Sequence, residues 1–529
     1  MPIKRVIVKN YRALKHADVS FKDDVNIVVG DNECGKSTLL EAINLALKCQ
    51  LNRRPAQYEL HPFLINAEAV ASFVAAHKAK RPTAPPEASI EVFLADRPEI
   101  AALRGTNNSL KLDCPGLSLS IRLDEACQSQ FEAYVGDPTV LNSIPIEYYE
   151  VQWMDFSGKQ LSPRAPQIKS ALIDPSNAPN AHTANKYVLE IVKDYLTKSQ
   201  SGQLALAFRT MKDRFQDEPR IQALNEELAQ KRGVLSDKTL TLSMDTTTRA
   251  SWESGTIPHL DAIPLTLVGK GEQNAIKIKM AVEASEKCDV FLVEEPENHL
   301  SHTNLGRLVG HLSKRCEGRQ LIISTHSSFV LNKLGIDHVL MFNGSKAITL
   351  DSLPSETKRY FQRLPGHATL RMILACRTIL VEGPSDELIV QLAYEKLHRK
   401  PPLQDGVEVI SVGTSFKRFL DIARLLSLKV DVVRDNDGDV DRVRALYEAY
   451  AGIASVRIHI DDDNAARTLE PQLLKFNGLA NMNTMLGKSF VDEAELIDWC
   501  TKNKTECALA LCEFRGDVKI PKYVQDAVR

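Results

Sequence analysis

The sequence predicts an α/β protein with two parallel-sheet domains, and three observations carry that expectation. A β-branched run, Val25–Val29, passes through a glycine-rich turn into apolar residues at helical spacing, Leu39, Leu40, Ile43 and Leu47. A second apolar run, Val290–Val293, ends in Glu294-Glu295-Pro296-Glu297. From residue 376 onward, strand-like and helical stretches alternate as β-α-β units do.

Length and composition bound the function. A chain of 529 residues suggests about three domains. Its 43% hydrophobic and 25% charged residues are ordinary for a folded globular protein, which excludes disorder and a fibrous repeat. With 66 Lys+Arg against 68 Asp+Glu it is not a uniformly basic DNA-coating protein, although a local basic groove remains compatible. Ten cysteines without a C-x-x-C pair argue against a zinc ribbon and a disulfide framework, and fit a reducing compartment. The N-terminus lacks the apolar segment of a signal peptide, and no apolar run reaches the roughly 18 residues of a membrane span. A cytoplasmic protein without membrane contact is expected.

Along the chain, Val6–Val8 and Val25–Val29 are strands and Ser37–Lys48 a helix. The proline-rich stretch Lys78–Glu87 is a loop, and Ile90–Leu94 and Leu117–Leu123 alternate as strands. Between 185 and 235 the residues Val188, Ile191, Val192 and Leu196, then Ile221, Leu224 and Leu228, form helical stripes, an insert that is either an internal helical pair or a dimerisation arm. Strands return at Val290–Val293 and Gln320–Ser324, then at Thr378–Val381, Glu408–Val412, Val430–Val433 and Val456–Ile460. The predicted domains are 1–160, the insert 161–255, a second lobe 256–365, and 366–529.

Two constellations carry chemistry. Gly30-Asp31-Asn32-Glu33-Cys34-Gly35-Lys36-Ser37 matches G-x-x-x-x-G-K-[ST] between a strand and a helix. Its backbone N–H groups and the helix N-terminus suit phosphates, Lys36 reaches the β/γ-phosphates, and Ser37 ligates Mg²⁺. Gly30, Asn32, Gly35 and Thr38 complete this nucleotide-binding set. A carboxylate at the tip of a buried strand, Glu294, suits the metal, and a second, Glu295, can polarise water. In the second constellation, Glu382 ends a strand and Asp386 opens the next helix, while Asp435 and Asp437 follow a later strand. Four carboxylates at one sheet edge repel unless cations neutralise them, and oxygen ligands suit Mg²⁺ or Mn²⁺.

The order of P-loop, long insert, Gly269-Lys270-Gly271-Glu272-Gln273, the acidic strand end and Ser324-Thr325-His326 resembles the ABC/SMC-type ATPase head. The resemblance implies two heads sandwiching two ATPs. Gly269, Gly271 and Gln273 of one head would cap the nucleotide of the other. Glu294 would take the metal role, Glu295 the general-base role, and His326 the γ-phosphate-sensing role. Arg12 in Asn10-Tyr11-Arg12 matches an ATP-contacting arginine of such heads. Glu294 departs from the Asp usual in the class, and Ser301-His302 departs in the subunit-contact loop.

The pair E-G-x-x-D and D-x-D resembles a Toprim domain. A head followed by a Toprim domain resembles the OLD (overcoming lysogenisation defect) family of nucleases. That likeness implies Glu470, in Thr468-Leu469-Glu470, as a further metal ligand and Lys504 as the stabiliser of phosphate charge, with Lys488 as the other candidate lysine. It implies ATP with Mg²⁺ in the head and two Mg²⁺ or Mn²⁺ ions in the Toprim site, which would make the chain a metal-dependent DNA endonuclease. DNA, a homodimer or larger homo-oligomer, and a neighbouring-gene helicase-like or reverse-transcriptase (retron) protein are the implied partners, and anti-phage defence the implied setting. The alternative is an SMC/RecF-like ATP-dependent DNA-binding or sensing protein with a non-catalytic Toprim domain.

Overall fold

A computed structural model describes residues 2–529 except 53, 82, 138–140, 163–167, 175–188, 190–191, 194–195, 232–237, 248–250, 285–287 and 364–366. The chain divides into two compact units, Met1–Val28 with Gly35–Thr325, and Val29–Cys34 with His326–Arg529. No helix among the described residues is long and apolar enough to cross a membrane.

The first unit holds two sheets. Strands β1 (Ile3–Tyr11) and β2 (Leu14–Ser20) precede β3 (Val25–Val29), helix α1 (Lys36–Lys48) and helix α2 (Ala67–Lys78). Then come β4 (Ala88–Leu94), β5 (Cys114–Leu123), β6 (Tyr149–Asp155), β7 (Ser170–Ile173), α3 (Lys198–Gln216) and α4 (Pro219–Gln230). Helix α5 (Lys270–Ala284), β8 (Val290–Glu294), α6 (His302–Arg315) and β9 (Gln320–Ser324) complete the unit. An antiparallel sheet runs β2-β1-β4-β5, with β6 beside β5. Strands β7, β8, β9 and β3 pair in that order, all parallel.

Helix α1 buries Leu39, Leu40, Ile43 and Leu47, the residues whose spacing predicted it. The indole of Trp153 donates to the Ala46 carbonyl at 2.7 Å, which anchors α1 to the antiparallel sheet. Gln320, buried at the start of β9, stitches the two sheets together. Its side chain accepts from Ile3 N at 2.7 Å and donates to the carbonyls of Ile3 (2.9 Å) and Lys22 (2.6 Å). A buried amide with all these partners satisfied fixes register where an apolar contact would let strands slide.

The predicted insert needs correction. Strand β7 lies inside 161–255, yet pairs in register with β8, so that stretch supplies a strand to the parallel sheet. Its helices among the described residues include α3, started by a Thr197–Gln200 capping box, and α4, on whose stripe Ile221 and Leu228 are half-buried and Leu224 is exposed. Val188 and Ile191 of the predicted stripe lie outside the described residues.

The second unit begins well before the predicted boundary of 365/366. Helices α7 (Ser328–Leu334), α8 (Ser355–Arg363) and α9 (His367–Leu374) belong to it. The reason is polar bonding: Thr357 on α8 donates to Asp421 at 2.7 Å, and Arg371 on α9 to Glu408 at 3.0 Å. The elements that follow are β10 (Arg377–Val381), α10 (Pro384–His398), β11 (Val407–Ser411), α11 (Phe416–Leu426), β12 (Val430–Val433), α12 (Val440–Ala445) and β13 (Val456–His459). Helices α13 (Leu469–Asn477), α14 (Glu493–Lys502), α15 (Lys504–Glu513) and α16 (Lys522–Val528) come last among those used below. The sheet order is β11-β10-β12-β13, all parallel, as the alternation predicted. Ile379, Val381, Ile389, Val390, Leu473 and Val524 share its core.

Strand β12 is buried throughout, yet its second residue is Asp431. Three basic side chains surround it. Arg377 Nε lies 2.7 Å from one carboxylate oxygen, and Arg457 Nε and His459 Nε2 each lie 2.8 Å from the other. Burial alone would raise the Asp431 pKa, but the bonds from His459, Arg377 and Arg457 hold it below the usual carboxylate range. Replacing Asp431 with Asn leaves three donors facing an uncharged amide. The expected loss is about 3–5 kcal/mol of stability, the range for breaking one side of a buried ion cluster, read as a lower denaturant midpoint for the C-terminal unit.

Candidate nucleotide and metal sites

In the first unit, Gly35 caps α1 with φ 95, a left-handed conformation that a side chain would strain. Lys36 is buried and Ser37 exposed at the first turn, followed by half-buried Thr38. The first N–H groups of α1 have no partner within the helix and suit an anion. The Ser37 hydroxyl bonds to Glu294 at the tip of β8. Burial first raises the Glu294 pKa, the Ser37 bond opposes it, and Asp174, Glu295 and Glu41 add to the rise. A raised carboxylate beside a hydroxyl suits a divalent cation, which would relieve the repulsion.

Glu295 adopts φ 38, an uncommon conformation for a non-glycine residue. Asn298 donates to its carboxylate at 2.9 Å, and its backbone N–H donates to Ser324 O at 3.0 Å. Thr325 donates to Glu297 at 2.7 Å, so the ends of β8 and β9 are tied together. The segment with Gly269 and Gly271 opens α5, where a Cβ on Gly271 would overlap the His299 carbonyl. Asn274 on the same helix donates to Asn298 O at 3.1 Å. Gln273 turns back on its own loop, donating to Val268 O at 2.7 Å. Arg12, at φ 48, pairs with Glu41 of α1, which also accepts from the Tyr11 hydroxyl.

Gly30 and Asn32 belong to the second unit. Gly30 meets the Phe342 carbonyl so closely that no Cβ would fit, and Asn32 is exposed. His326 is also in that unit. It lines a cleft of about 370 Å³ together with Leu374, Arg371 and Glu408, the last on edge strand β11.

The second constellation assembles at the C-terminal tips of β10 and β12. The Gly383 N–H donates to Asp386 at 2.9 Å, which fixes that carboxylate at the start of α10. Glu470, buried on the first turn of α13, accepts from the Thr468 hydroxyl at 2.7 Å and lies 3.4 Å from Lys504 Nζ. Burial pushes Asp435 up to about 8, with Asp386, Glu382 and Glu470 adding and Lys504 opposing. Burial likewise pushes Asp386 up to about 6; the Gly383 N–H opposes the rise, Glu470 and Glu382 add to it, and Lys504 lowers it. Burial works to lower the Lys504 pKa, but Glu470, Asp435 and Asp386 keep it raised. Lys488 instead lies 5.2 Å over the Trp499 ring.

Asp437 stands apart from the Asp435 contacts. It has φ 55, and its carboxylate lies 3.3 Å from Arg434. Asp437 and Glu382 both raise the pKa of the Tyr447 phenol, after burial and the opposing Arg434 bond. Among the described residues no three His, Cys, Asp or Glu side chains are closed to metal-binding distance. The donor chemistry nonetheless fits a hard divalent cation, because buried carboxylates with raised pKa values are those a bound cation would deprotonate and draw together. Sequence reasoning missed Arg434, Thr468 and Tyr447. Arg434 stood in plain view beside Asp435, whereas nothing marked Tyr447.

Several families match. An "AAA ATPase domain" family matches residues 1–115, and "AAA domain, putative AbiEii toxin, Type IV TA system" matches 215–332. "Overcoming lysogenization defect protein-like, TOPRIM domain" matches 373–437, spanning Glu382 to Asp437. The DNA replication and repair protein RecF of Bacillus mycoides (strain KBAB4) is 38% identical over 60 residues, 11% of this chain and 16% of its own. The DNA double-strand break repair Rad50 ATPase of Methanopyrus kandleri is 44% identical over 45 residues, 8% of this chain and 5% of its own. The chain thus covers only a small part of the curated relatives it matches. Among solved structures, the SMC head domain from Thermotoga maritima has a TM-score of 0.30 at 13% identity, over 66% of this chain and 100% of that one. The C-terminal region of the Xanthomonas campestris pv. campestris OLD protein has a TM-score of 0.24 at 21% identity, over 30% of this chain and 92% of that one.

The Asp435 environment gives a pH dependence with a definite sign. A carboxyl whose folded pKa lies above its unfolded value stabilises the fold fully at low pH and loses that contribution as pH rises through about 8. Metal-free protein is therefore expected to melt at lower temperature as pH climbs. Asn at 435 should recover about 2–4 °C above pH ~8 and little near pH ~4, measured by thermal melts in a chelator. Equal slopes for the two proteins would contradict the assignment.

Proposed function

We propose that this chain, which joins AAA ATPase domains to an OLD-like Toprim domain, is an ATP-binding and ATP-hydrolysing endonuclease that cleaves DNA with divalent metal. The observation that carries the reading is the convergence of Glu382, Asp386, Asp435 and Glu470, with Lys504 beside them, at one sheet edge. A domain that only bound or scaffolded DNA would gain nothing from burying acids that repel both one another and the DNA backbone.

Each residue then has a task. Asp435 and Asp386 hold the divalent ion, Glu382 and Glu470 flank it, and Asp437 completes the second part of the site. The chemistry such ions supply is activation of water and neutralisation of charge on the phosphate. Lys504 adds a fixed positive charge for the scissile phosphate, and its raised pKa keeps it protonated. In the head, Lys36 and the first turn of α1 bind the phosphates, Ser37 and Glu294 hold Mg²⁺, and Glu295, fixed by Asn298, orients the attacking water. Gly269, Gly271 and Gln273 serve the partner head of a homodimer, His326 senses the γ-phosphate, and Arg12 contacts the nucleotide. Action against phage DNA, beside a neighbouring-gene partner and in the cytoplasm, is the setting we assign.

The test is plasmid cleavage with Mg²⁺ or Mn²⁺, with and without ATP. Asp435→Ala should lower nicking by at least about a hundredfold while ATPase activity persists. Lys36→Ala should remove ATPase activity and any effect of ATP on cleavage. Unchanged cleavage in Asp435→Ala would sink the reading, and ATPase activity without cleavage under any metal would favour a DNA-sensing ATPase.

A further inference from the structure

Arg434 precedes the D-x-D acids by one residue, at the end of β12, and it is held more firmly than a surface arginine. Its guanidinium carbon lies 5.6 Å from the Phe416 ring centre and 5.7 Å from that of Tyr447, two rings set nearly at right angles. Nη1 donates to the Tyr447 hydroxyl at 2.6 Å, and the backbone N–H donates to His459 O at 3.1 Å. Only 12% of the side chain is exposed. Nη2 reaches one oxygen of Asp437 at 3.3 Å; the other oxygen has no bond among the described residues, and the Asp437 side chain is 44% exposed.

The backbone beneath Asp437 is fixed as well. Asn436 is buried and donates to Asp461 O at 3.1 Å and Asp463 O at 2.8 Å, while its side-chain oxygen accepts from Gly438 N at 2.9 Å. Asp437 N donates to Arg467 O at 3.2 Å. The turn sets where the Asp437 side chain begins, and Arg434 sets where it points.

We propose that Arg434, clamped by Phe416 and Tyr447, is a positioning residue that holds one oxygen of Asp437 so that the other is presented to a divalent cation. The proposal rests on the metal-dependent reading above and adds to it a residue that makes no contact with metal or DNA. Space-filling alone does not explain the arrangement. Arg434 Nε is buried without a hydrogen-bond partner, a cost that an apolar side chain between the same two rings would avoid. Carboxylates that bind metals are themselves commonly held by an outer hydrogen bond, whose loss weakens metal binding.

The experiment measures Mn²⁺ binding to the nucleotide-free full chain by calorimetry, with the combined Asp435→Ala/Asp437→Ala variant as the blank and thermal melts to show that each variant is folded. Arg434→Gln should weaken binding by about 10- to 100-fold. Arg434→Lys should not restore it, because a single ammonium lacks the fork that lets one nitrogen donate to Tyr447 and another reach Asp437. Tyr447→Phe, which keeps the ring and removes the hydroxyl, should fall between Arg434→Gln and the unaltered protein. Asp437→Asn should weaken binding at least as much as Arg434→Gln, and the double variant no more than Asp437→Asn alone, since the arginine acts through that carboxylate. Unchanged affinity in folded Arg434→Gln, or additive losses in the double variant, would overturn the proposal and leave the nuclease reading standing. No Mn²⁺ binding beyond that blank would overturn both.

Discussion

Repulsion among carboxylates at the tips of β10 and β12 is the constraint on which the C-terminal unit depends. An isolated acid would stay ionised in water, but here burial and neighbouring charge drive Asp435 and Asp386 toward the neutral form. The surroundings offset part of this with a backbone N–H at Asp386, a hydroxyl at Glu470, the ammonium of Lys504 and the guanidinium of Arg434. Only Lys504 opposes the rise at Asp435, and it does not cancel it. That residual charge stress distinguishes the site from an acidic surface, where solvent would dissipate it.

The opposite solution appears one turn down the same strand. Asp431 is as deeply buried as any acid in the unit, yet two guanidinium groups and the His459 imidazole hold its pKa below the usual carboxylate range. One strand thus carries a compensated acid inside the sheet and an under-compensated acid at its tip. The first contributes order among β10, β12 and β13, and the second is free to exchange protons for a ligand. The head uses backbone geometry instead. Glu295 sits in a conformation that costs of order 1–3 kcal/mol, and Asn298 with the Ser324 carbonyl hold it there.

Much of this was legible in the sequence because it follows from local rules. Period and β-branching placed α1, β8, β9 and all four strands of the C-terminal sheet, and G-x-x-x-x-G-K-S announced its strand–turn–helix. The acids Glu382, Asp386 and Asp435 could be placed because strand ends fix their direction. Other features depend on contacts distant in sequence. Nothing in residues 161–255 reveals that β7 pairs with β8, and the unit boundary at Thr325/His326 is set by bonds such as Thr357 to Asp421. Lys504 and Lys488 look alike in sequence; only the fold puts one beside Glu470 and the other over Trp499. Arg434 was visible beside Asp435, but its role was not, because its two aromatic partners come from different elements; Asp437 was named from D-x-D, but the left-handed turn that sets it apart from Asp435 was not foreseen.

The last helix, α16, has a practical consequence. It buries Tyr523, Val524, Ala527 and Val528 against the C-terminal unit, and its Ala527 and Val528 carbonyls bond to Arg377 and His398. Removing Lys522–Arg529 would strip an apolar lid from the unit and leave Arg377 to satisfy its donors elsewhere. Fragments prepared without that helix would expose a sticky apolar face and are poor material for crystallisation or solution work.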